Sequence, residues 1–198
     1  VGLQKPVVIW KGGQTAEGAL AASSHTGSLA TSQEVWNTVI RQTGTIGTES
    51  LEETVDVVGA LSKFGPLKGP RGALICFSGG QSVVIADTFA KAGLQVPPLS
   101  QESYRELASF FNVIGGSYRN PLDVSWNFGS AEQVVRILTI ADRDPNIDFV
   151  ALEIFAATLA QRKDSVSAAE FFAAIAEHNH KATKPFFAVL TPTSAEGL

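Results

Sequence analysis

The chain has 198 residues, 44% of them hydrophobic and 17% charged, with a formal net charge of −4. This is enough apolar material for one large or two small domains with real cores. The even spread of charge excludes the basic footprint of a nucleic-acid binder and a polybasic membrane anchor. One cysteine, Cys76, leaves no internal disulfide and fits a reducing compartment. No apolar run nears the roughly 18 residues of a membrane span and no basic-then-apolar signal pattern opens the sequence, so the cytoplasm is the expected location. Methionine is absent and Val1 stands directly before a strand pattern, as expected for a piece of a longer protein.

Taken in order, Pro6–Trp10 reads as a short buried strand broken by Lys11-Gly12-Gly13. Thr15–Ala22 predicts a short Ala-rich helix, followed by a loop of small and hydroxylated residues around His25. Thr31 or Ser32 caps the next helix, whose stripe of Val35, Trp36, Val39 and Ile40 ends at Gly44. Thr45–Thr48 predicts a short edge strand, and Ser50 with Glu53 a capping box that opens a helix faced by Leu51, Val55 and Val58. Residues 65–72, rich in Gly and Pro, read as a linker between a segment of residues 1–64 and a second domain of residues 73–198.

That second domain opens with a buried strand, Ala73–Phe77, in which Cys76 is a structural thiol. The turn Ser78-Gly79-Gly80-Gln81-Ser82 leads into a helix over Val83–Lys91 that Gly93 ends. Ser100 caps a helix to about Phe111, Asn112–Phe128 is loop, and Ser130 caps the helix Ala131–Asp142. A strand Phe149–Phe155, a helix from Asp164–Ser167 to about His180 and a strand Phe186–Leu190 complete it. The alternation of strand and helix predicts an α/β fold with mainly parallel sheets. The first segment holds only half of such a unit and is expected to be the C-terminal half of an α/β domain whose earlier strands lie elsewhere.

Four places carry candidate chemistry. A neutral imidazole is a competent phosphoryl acceptor, and Ser24, Thr26, Gly27 and Ser28 beside His25 offer hydroxyl and backbone donors to a phosphate; a structural loop histidine is the alternative. The turn Gly79-Gly80-Gln81-Ser82 at a strand end is a candidate anion site or a packing device, and it is neither a P-loop nor a dinucleotide fingerprint. The loop bearing Asn120, Pro121 and Asp123 sits where α/β crevices bind ligands, or is tied by its own side chains. Glu153 in an apolar strand is either a group at the mouth of the sheet or a strand-end residue reaching solvent. His178 and His180 do not converge on a metal, and no metal site is expected.

The order of these motifs resembles a known family. Lys5-Pro6-Val7-Val8, Lys11-Gly12-Gly13 and Ala22-Ser23-Ser24-His25-Thr26-Gly27-Ser28-Leu29-Ala30 are similar to the phosphohistidine segment of the NDP-forming acyl-CoA synthetases, relatives of succinyl-CoA synthetase. Gly79-Gly80 after a strand and Asn120-Pro121-Leu122-Asp123-Val124 resemble the next flavodoxin-like domain of that family. The resemblance implies flavodoxin-like three-layer domains and a reaction through phosphohistidine at His25, with CoA and ATP/ADP or GTP/GDP, accompanied by Mg²⁺, as substrates. It implies CoA-binding and ATP-grasp domains or subunits as partners, an oligomer, and a central fragment that does not complete the reaction alone. The helix after Gly79-Gly80 would point its N-terminus at the phosphohistidine. Where the family has a small, Pro-containing run after the glycine pair, this chain has Gln81-Ser82. The rival expectation is a non-catalytic acyl-CoA-sensing module of the same fold, as fused to protein acetyltransferases; a plain α/β interaction domain is the third.

Overall fold

The computed structural model describes residues 5–26, 32–64, 67–111, 116–124, 130–155 and 168–190. They fall into two compact units, residues 1–66 and 67–198. Gly27 and Ser28, and the predicted helix start at 164–167, lie outside the described residues.

In the first unit β1 (Val8–Trp10) is followed by α1 (Ala16–Thr26), α2 (Gln33–Thr43), β2 (Ile46–Thr48) and α3 (Leu51–Phe64). β1 and β2 pair in parallel, with Val8 opposite Ile46 and Trp10 opposite Thr48. The helix ends follow local chemistry. Ser32 accepts the Val35 N–H at 3.2 Å, and Gly44 closes α2 with φ 67°, a left-handed conformation that suits glycine. Ser50 accepts the Glu53 N–H at 3.0 Å, while the Glu53 carboxylate reaches back to Glu49 N–H at 2.6 Å, one residue earlier than in a standard capping box.

This unit buries little by itself. Neither α2 nor α3 contains a buried residue, and Val35, Val39, Leu51, Val55 and Val58 are all exposed. These form the exposed part of the helices' apolar stripes, while Trp36 and Ile40 of α2 are half-buried and Ile40 lies against Gly47 of β2. Its sheet of two three-residue strands is below the size that is stable alone in water.

The second unit runs β3 (Gly72–Cys76), α4 (Gly79–Lys91), α5 (Gln101–Ala108), β4 (Leu122–Asp123), α6 (Ala131–Arg143), β5 (Phe149–Ile154), α7 (Ala168–Lys181) and β6 (Phe186–Leu190). The strand order is β4-β3-β5-β6, all parallel. The central strands β3 and β5 are buried along their whole length, as unbroken apolar runs in a parallel sheet require. One sheet face packs Ala73, Ile75 and Leu152 against Leu107, Leu138 and Ile175 of α5, α6 and α7. The other packs Leu74, Cys76 and Ala151 against Ile85 and Phe89 of α4. The result is the expected three-layer α/β arrangement.

Several boundaries differ from expectation, and the stretch Asn112–Phe128, expected to be loop, contains the short strand β4. α4 begins at Gly79, so the predicted turn Gly79–Ser82 is the first turn of the helix. α5 stops at Ala108, where Ser109 takes over the last carbonyls. Gly72, expected in the linker, is the first residue of β3 and needs to be glycine: a Cβ there would lie 2.5 Å from the Phe149 ring. Gly72→Ala is expected to cost about 1–3 kcal/mol through overpacking of this fully buried ring, read as a lower urea midpoint with unchanged slope.

At the N-terminal ends of these strands, acids tie loops down. Asp148 takes a two-pronged ion pair from Arg71, with N–O distances of 2.7 and 2.9 Å, and also the Arg71 backbone N–H. The guanidinium holds the Asp148 carboxyl below its usual range. Asp144 accepts the N–H groups of Ser100 and Asn146, and Asp142 accepts those of Thr183 and Lys184. Burial works to raise the Asp144 carboxyl, but the hydrogen bonds from Ser103, Ser100 and Asn146 outweigh it.

Candidate functional site

The first candidate residue changes setting. His25 does not lie on a loop: α1 runs through it to Thr26, and the imidazole is exposed in the last helical turn. Ser23 and Ser24 do not break the helix because their hydroxyls donate back to Leu20 O and Ala21 O, each at 2.8 Å. Two consequences follow. The Ser24 hydroxyl is engaged inside its own helix, and the backbone N–H groups of Ser24 and Thr26 point along the helix rather than at a ligand. The last turn also carries the negative end of the helix dipole. α1 thus presents an accessible nucleophile but gives no electrostatic help to a bound phosphate.

The second candidate lies in the other unit and has the opposite helix polarity. Ser78 caps α4 in an extended conformation, its Oγ accepting the Gln81 N–H, and Ser82 N–H bonds Ser78 O at 3.1 Å. The Gln81 and Ser82 amides are therefore used within the helix, and the Ser82 hydroxyl donates to Gly79 O. The exposed Gly79 and Gly80 are left to present N–H groups at the positive end of a 13-residue helix. A Cβ on Gly80 would meet nothing within 4 Å, so the approach is open. Of the four residues expected there, the two glycines fit an anion contact and Gln81 and Ser82 fit a structural one.

Around this helix end the sheet brings together the remaining candidates. Asp123 ends β4 opposite Cys76, and its Oδ2 would lie 3.0 Å from a Cβ on Gly79. Glu153, on β5, is fully buried, so it is not a strand-end residue reaching solvent. Its Oε2 accepts the Phe77 N–H at 3.2 Å, the Cys76 thiol faces the carboxyl, and Oε1 has no partner. Burial pushes Glu153 above the ordinary carboxylate range, the Phe77 N–H and Cys76 thiol pull it back, and the charge of Asp123 pushes it up again. Burial likewise pushes the Cys76 thiol far up, which keeps it an unreactive thiol.

The stability consequence has a definite sign. A carboxyl whose folded pKa is raised contributes most below its unfolded value, about 4.3, and loses that contribution as pH rises through the folded value. Glu153→Gln is therefore expected to raise the urea midpoint at pH 8 and to converge on wild type near pH 4. His178, whose imidazole burial holds below its usual range against the pull of Asp142, destabilises both proteins equally as pH falls and cancels in the comparison.

Asn120, a substrate-loop candidate, is bound to its own chain. Its Oδ1 accepts Leu74 N–H at 2.9 Å, and its Nδ2 donates to Gly72 O at 2.8 Å and Pro97 O at 2.7 Å. The loop-tying reading fits this geometry and the ligand reading does not. Pro121, joined to Asn120 by a cis peptide, leads into β4. Among the described residues no group of three or more His, Cys, Asp and Glu comes together as a metal site. No helix among them is long and apolar enough to cross a membrane.

The Cys76–Glu153–Phe77 contact was not foreseen. Its signal was the one acid inside the run Val150–Phe155, but its partners lie on a strand more than seventy residues earlier.

The parallel α/β arrangement of these units defines a flavodoxin-like class of domain. Residues 1–61 match the family described as succinyl-CoA ligase like flavodoxin domain. The chain is 39% identical over 150 residues to an acetate–CoA ligase [ADP-forming] I of Archaeoglobus fulgidus, covering 76% of this chain and 21% of that protein. It is 30% identical over 177 residues to an acetate–CoA ligase [ADP-forming] II subunit alpha of Pyrococcus furiosus, covering 89% and 38%. The solved dinucleotide-forming acetyl-coenzyme A synthetase 1 of Ca. Korarchaeum cryptofilum, in complex with phosphate and ADP, superposes with a TM-score of 0.78 at 27% identity, over 97% of this chain and 40% of that one. Residues 1–61 thus carry a domain of the succinyl-CoA ligase like flavodoxin type, and the chain is similar over most of its length to NDP-forming acyl-CoA synthetases. It spans between about a fifth and two fifths of the length of these relatives.

Proposed function

We propose that this chain is the phosphohistidine-carrying part of an NDP-forming acyl-CoA synthetase, with His25 as the covalent carrier. In the proposed sequence, phosphate displaces CoA from acyl-CoA to give acyl phosphate and free CoA. An imidazole nitrogen of His25 then attacks phosphorus and the carboxylate leaves. A terminal oxygen of the nucleoside diphosphate finally takes the phosphoryl group, regenerating the imidazole and giving the triphosphate. Mg²⁺ accompanies the nucleotide as part of the substrate. Phosphoryl transfer asks the protein chiefly for positioning and charge stabilisation.

The observation that carries this reading is the exposed His25 at the end of α1, within the residues that match the succinyl-CoA ligase like domain. Because α1 offers no positive end to the phosphate, its stabilisation must come from another element. Gly79 and Gly80 at the start of α4, in the second unit, are a separate candidate anion contact. The exposed apolar residues of α2 and α3 and the two-stranded sheet support the further reading that residues 1–64 are the C-terminal half of a domain. The other half, the CoA-binding domain and the ATP-grasp domain would then be supplied elsewhere on the same protein or by a partner subunit. That the relative from Pyrococcus furiosus is named a subunit alpha supports such an assembly.

The test is to incubate the protein, with its CoA- and nucleotide-binding parts, with γ-labelled nucleoside triphosphate and Mg²⁺. An acid-labile, base-stable phosphoprotein that is chased by nucleoside diphosphate is expected. Its absence, or a label stable to acid, would sink the reading.

A further inference from the structure

We propose that Glu153 is a positioning residue for the anion site of α4: its buried carboxyl holds the Phe77 amide, and with it the β3–α4 turn that presents Gly79 and Gly80. This rests on the reading of that helix end as a phosphate cradle.

The geometry is a row of side chains on one face of the sheet at its C-terminal edge. Asp123 on β4 stands opposite Cys76 on β3, and Glu153 on β5 contacts the Cys76 thiol. Of the three, Asp123 lies against Gly79 in the first turn of α4. Phe77 is the first residue after β3 and sits two residues before the helix. Its N–H has outrun the β3–β5 ladder, whose last matched pair is Ile75 with Leu152. Oε2 of Glu153 takes that N–H at 3.2 Å and so continues the ladder by one side-chain rung. The rung fixes where β3 stops and therefore where α4 starts.

The chemistry of the rung matters as well as its shape. Every acid at the opposite edge of this sheet is held by several donors: Asp148 by Arg71, Asp144 by Ser100 and Asn146, Asp142 by Thr183 and Lys184. Glu153 makes no ion pair among the described residues, and Oε1 has no donor. The titratable groups that face it are Cys76 from β3 and Asp123 from β4, and the first turn of α4 carries no acid. Such surroundings favour the protonated carboxyl, which burial also raises. A neutral acid accepts from Phe77 without drawing on the positive helix end. An ionised one would compete with the incoming anion for it. A hydrocarbon of similar size would fill the space and lose the rung.

The test uses inorganic phosphate as probe on the intact protein and its Glu153→Gln and Glu153→Leu variants. Chemical shifts of the Gly79 and Gly80 amides report binding, and hydrogen exchange at Phe77 reports the rung. Glu153→Gln, neutral and still an acceptor, is expected to bind phosphate within about twofold of wild type at pH 6. Glu153→Leu is expected to bind about tenfold more weakly and to exchange Phe77 N–H at least about tenfold faster, a typical cost for one buried hydrogen bond. Exchange in β6 should be unchanged. The carbonyl stretch of a protonated acid, absent from Glu153→Gln, should be present in wild type. As that band is lost at rising pH, wild-type phosphate affinity should fall relative to Glu153→Gln, a ratio in which the titration of phosphate itself cancels.

Phe77 exchange that is unaltered in Glu153→Leu overturns the positioning role. If that variant does not fold, a pH-independent ratio between wild type and Glu153→Gln does so instead. Wild-type Gly79 and Gly80 amides that ignore phosphate overturn the cradle reading and the anion half of this proposal, while Phe77 exchange still decides whether Glu153 holds the turn.

Discussion

His25→Ala is expected to abolish the phosphoprotein and to lower turnover by at least about 10³-fold, the scale on which removal of a covalent nucleophile acts. The sequence contains three histidines, so the controls are complete. His178 is buried against Phe186, with ring centroids 6.1 Å apart, and burial lowers its pKa. It packs a helix onto a strand. His180 is exposed near the end of α7, in the unit that lies outside the succinyl-CoA ligase like match. Alanine at either position should leave labelling at the wild-type level. Full label in His25→Ala, or its loss in His178→Ala or His180→Ala with His25 intact, would contradict the mechanism. The assay is acid lability and base stability of the label after a short incubation, before any turnover-limiting release.

Much of the α/β organisation is readable from the chain because its signals are local. The β3 and β5 runs are apolar without alternation, and Ser32, Ser78, Ser100 and Ser130 each cap the helix that the pattern places after them. The setting of His25 was not readable. Ser-Ser-His-Thr has the composition of a loop, yet it ends a helix because two serine hydroxyls fold back onto carbonyls of an Ala-rich turn. Local composition cannot distinguish a serine that leaves a helix from one that bonds back into it. The settings of Asp123 and Glu153 were unreadable for another reason. Both sit in short apolar contexts whose partners are on other strands, and only the order β4-β3-β5 brings them on either side of Cys76. A carboxylate at a strand end reads as solvent-facing until the neighbouring turn is seen to close over it.

Asn120→Ala is expected to lower the stability of the second unit by about 2–4 kcal/mol, the cost of leaving several buried backbone groups unpaired. The reason lies in the open edge of β3. On that side Gln95 pairs with the strand's start, its carbonyl accepting Gly72 N–H at 2.8 Å, and β4 pairs with its end, where Val124 N–H meets Cys76 O at 2.8 Å. Between them stand Gly72 O and Leu74 N–H, both on buried residues and facing no strand. The Asn120 amide meets both, acting as a detached peptide group, and adds Pro97 O as a third partner. Alanine removes all three hydrogen bonds and supplies no partner in their place. A fall in melting temperature of roughly 5–15 °C is expected, with the urea slope unchanged. Asn120→Asp separates the two halves of the amide. It keeps the acceptor for Leu74 N–H but turns a carboxylate oxygen toward the carbonyls of Gly72 and Pro97, so near neutral pH it should be at least as damaging as alanine. Protonation supplies one donor in place of that repulsion. The native state of this variant thus favours the acid form, its folded pKa is raised, and its stability relative to Asn120→Ala should grow as pH falls through the folded value and level off below about 4. A ligand role for Asn120 gives the opposite pattern, near-normal stability for both variants with loss of binding alone, so thermal melts at two pH values separate the two assignments.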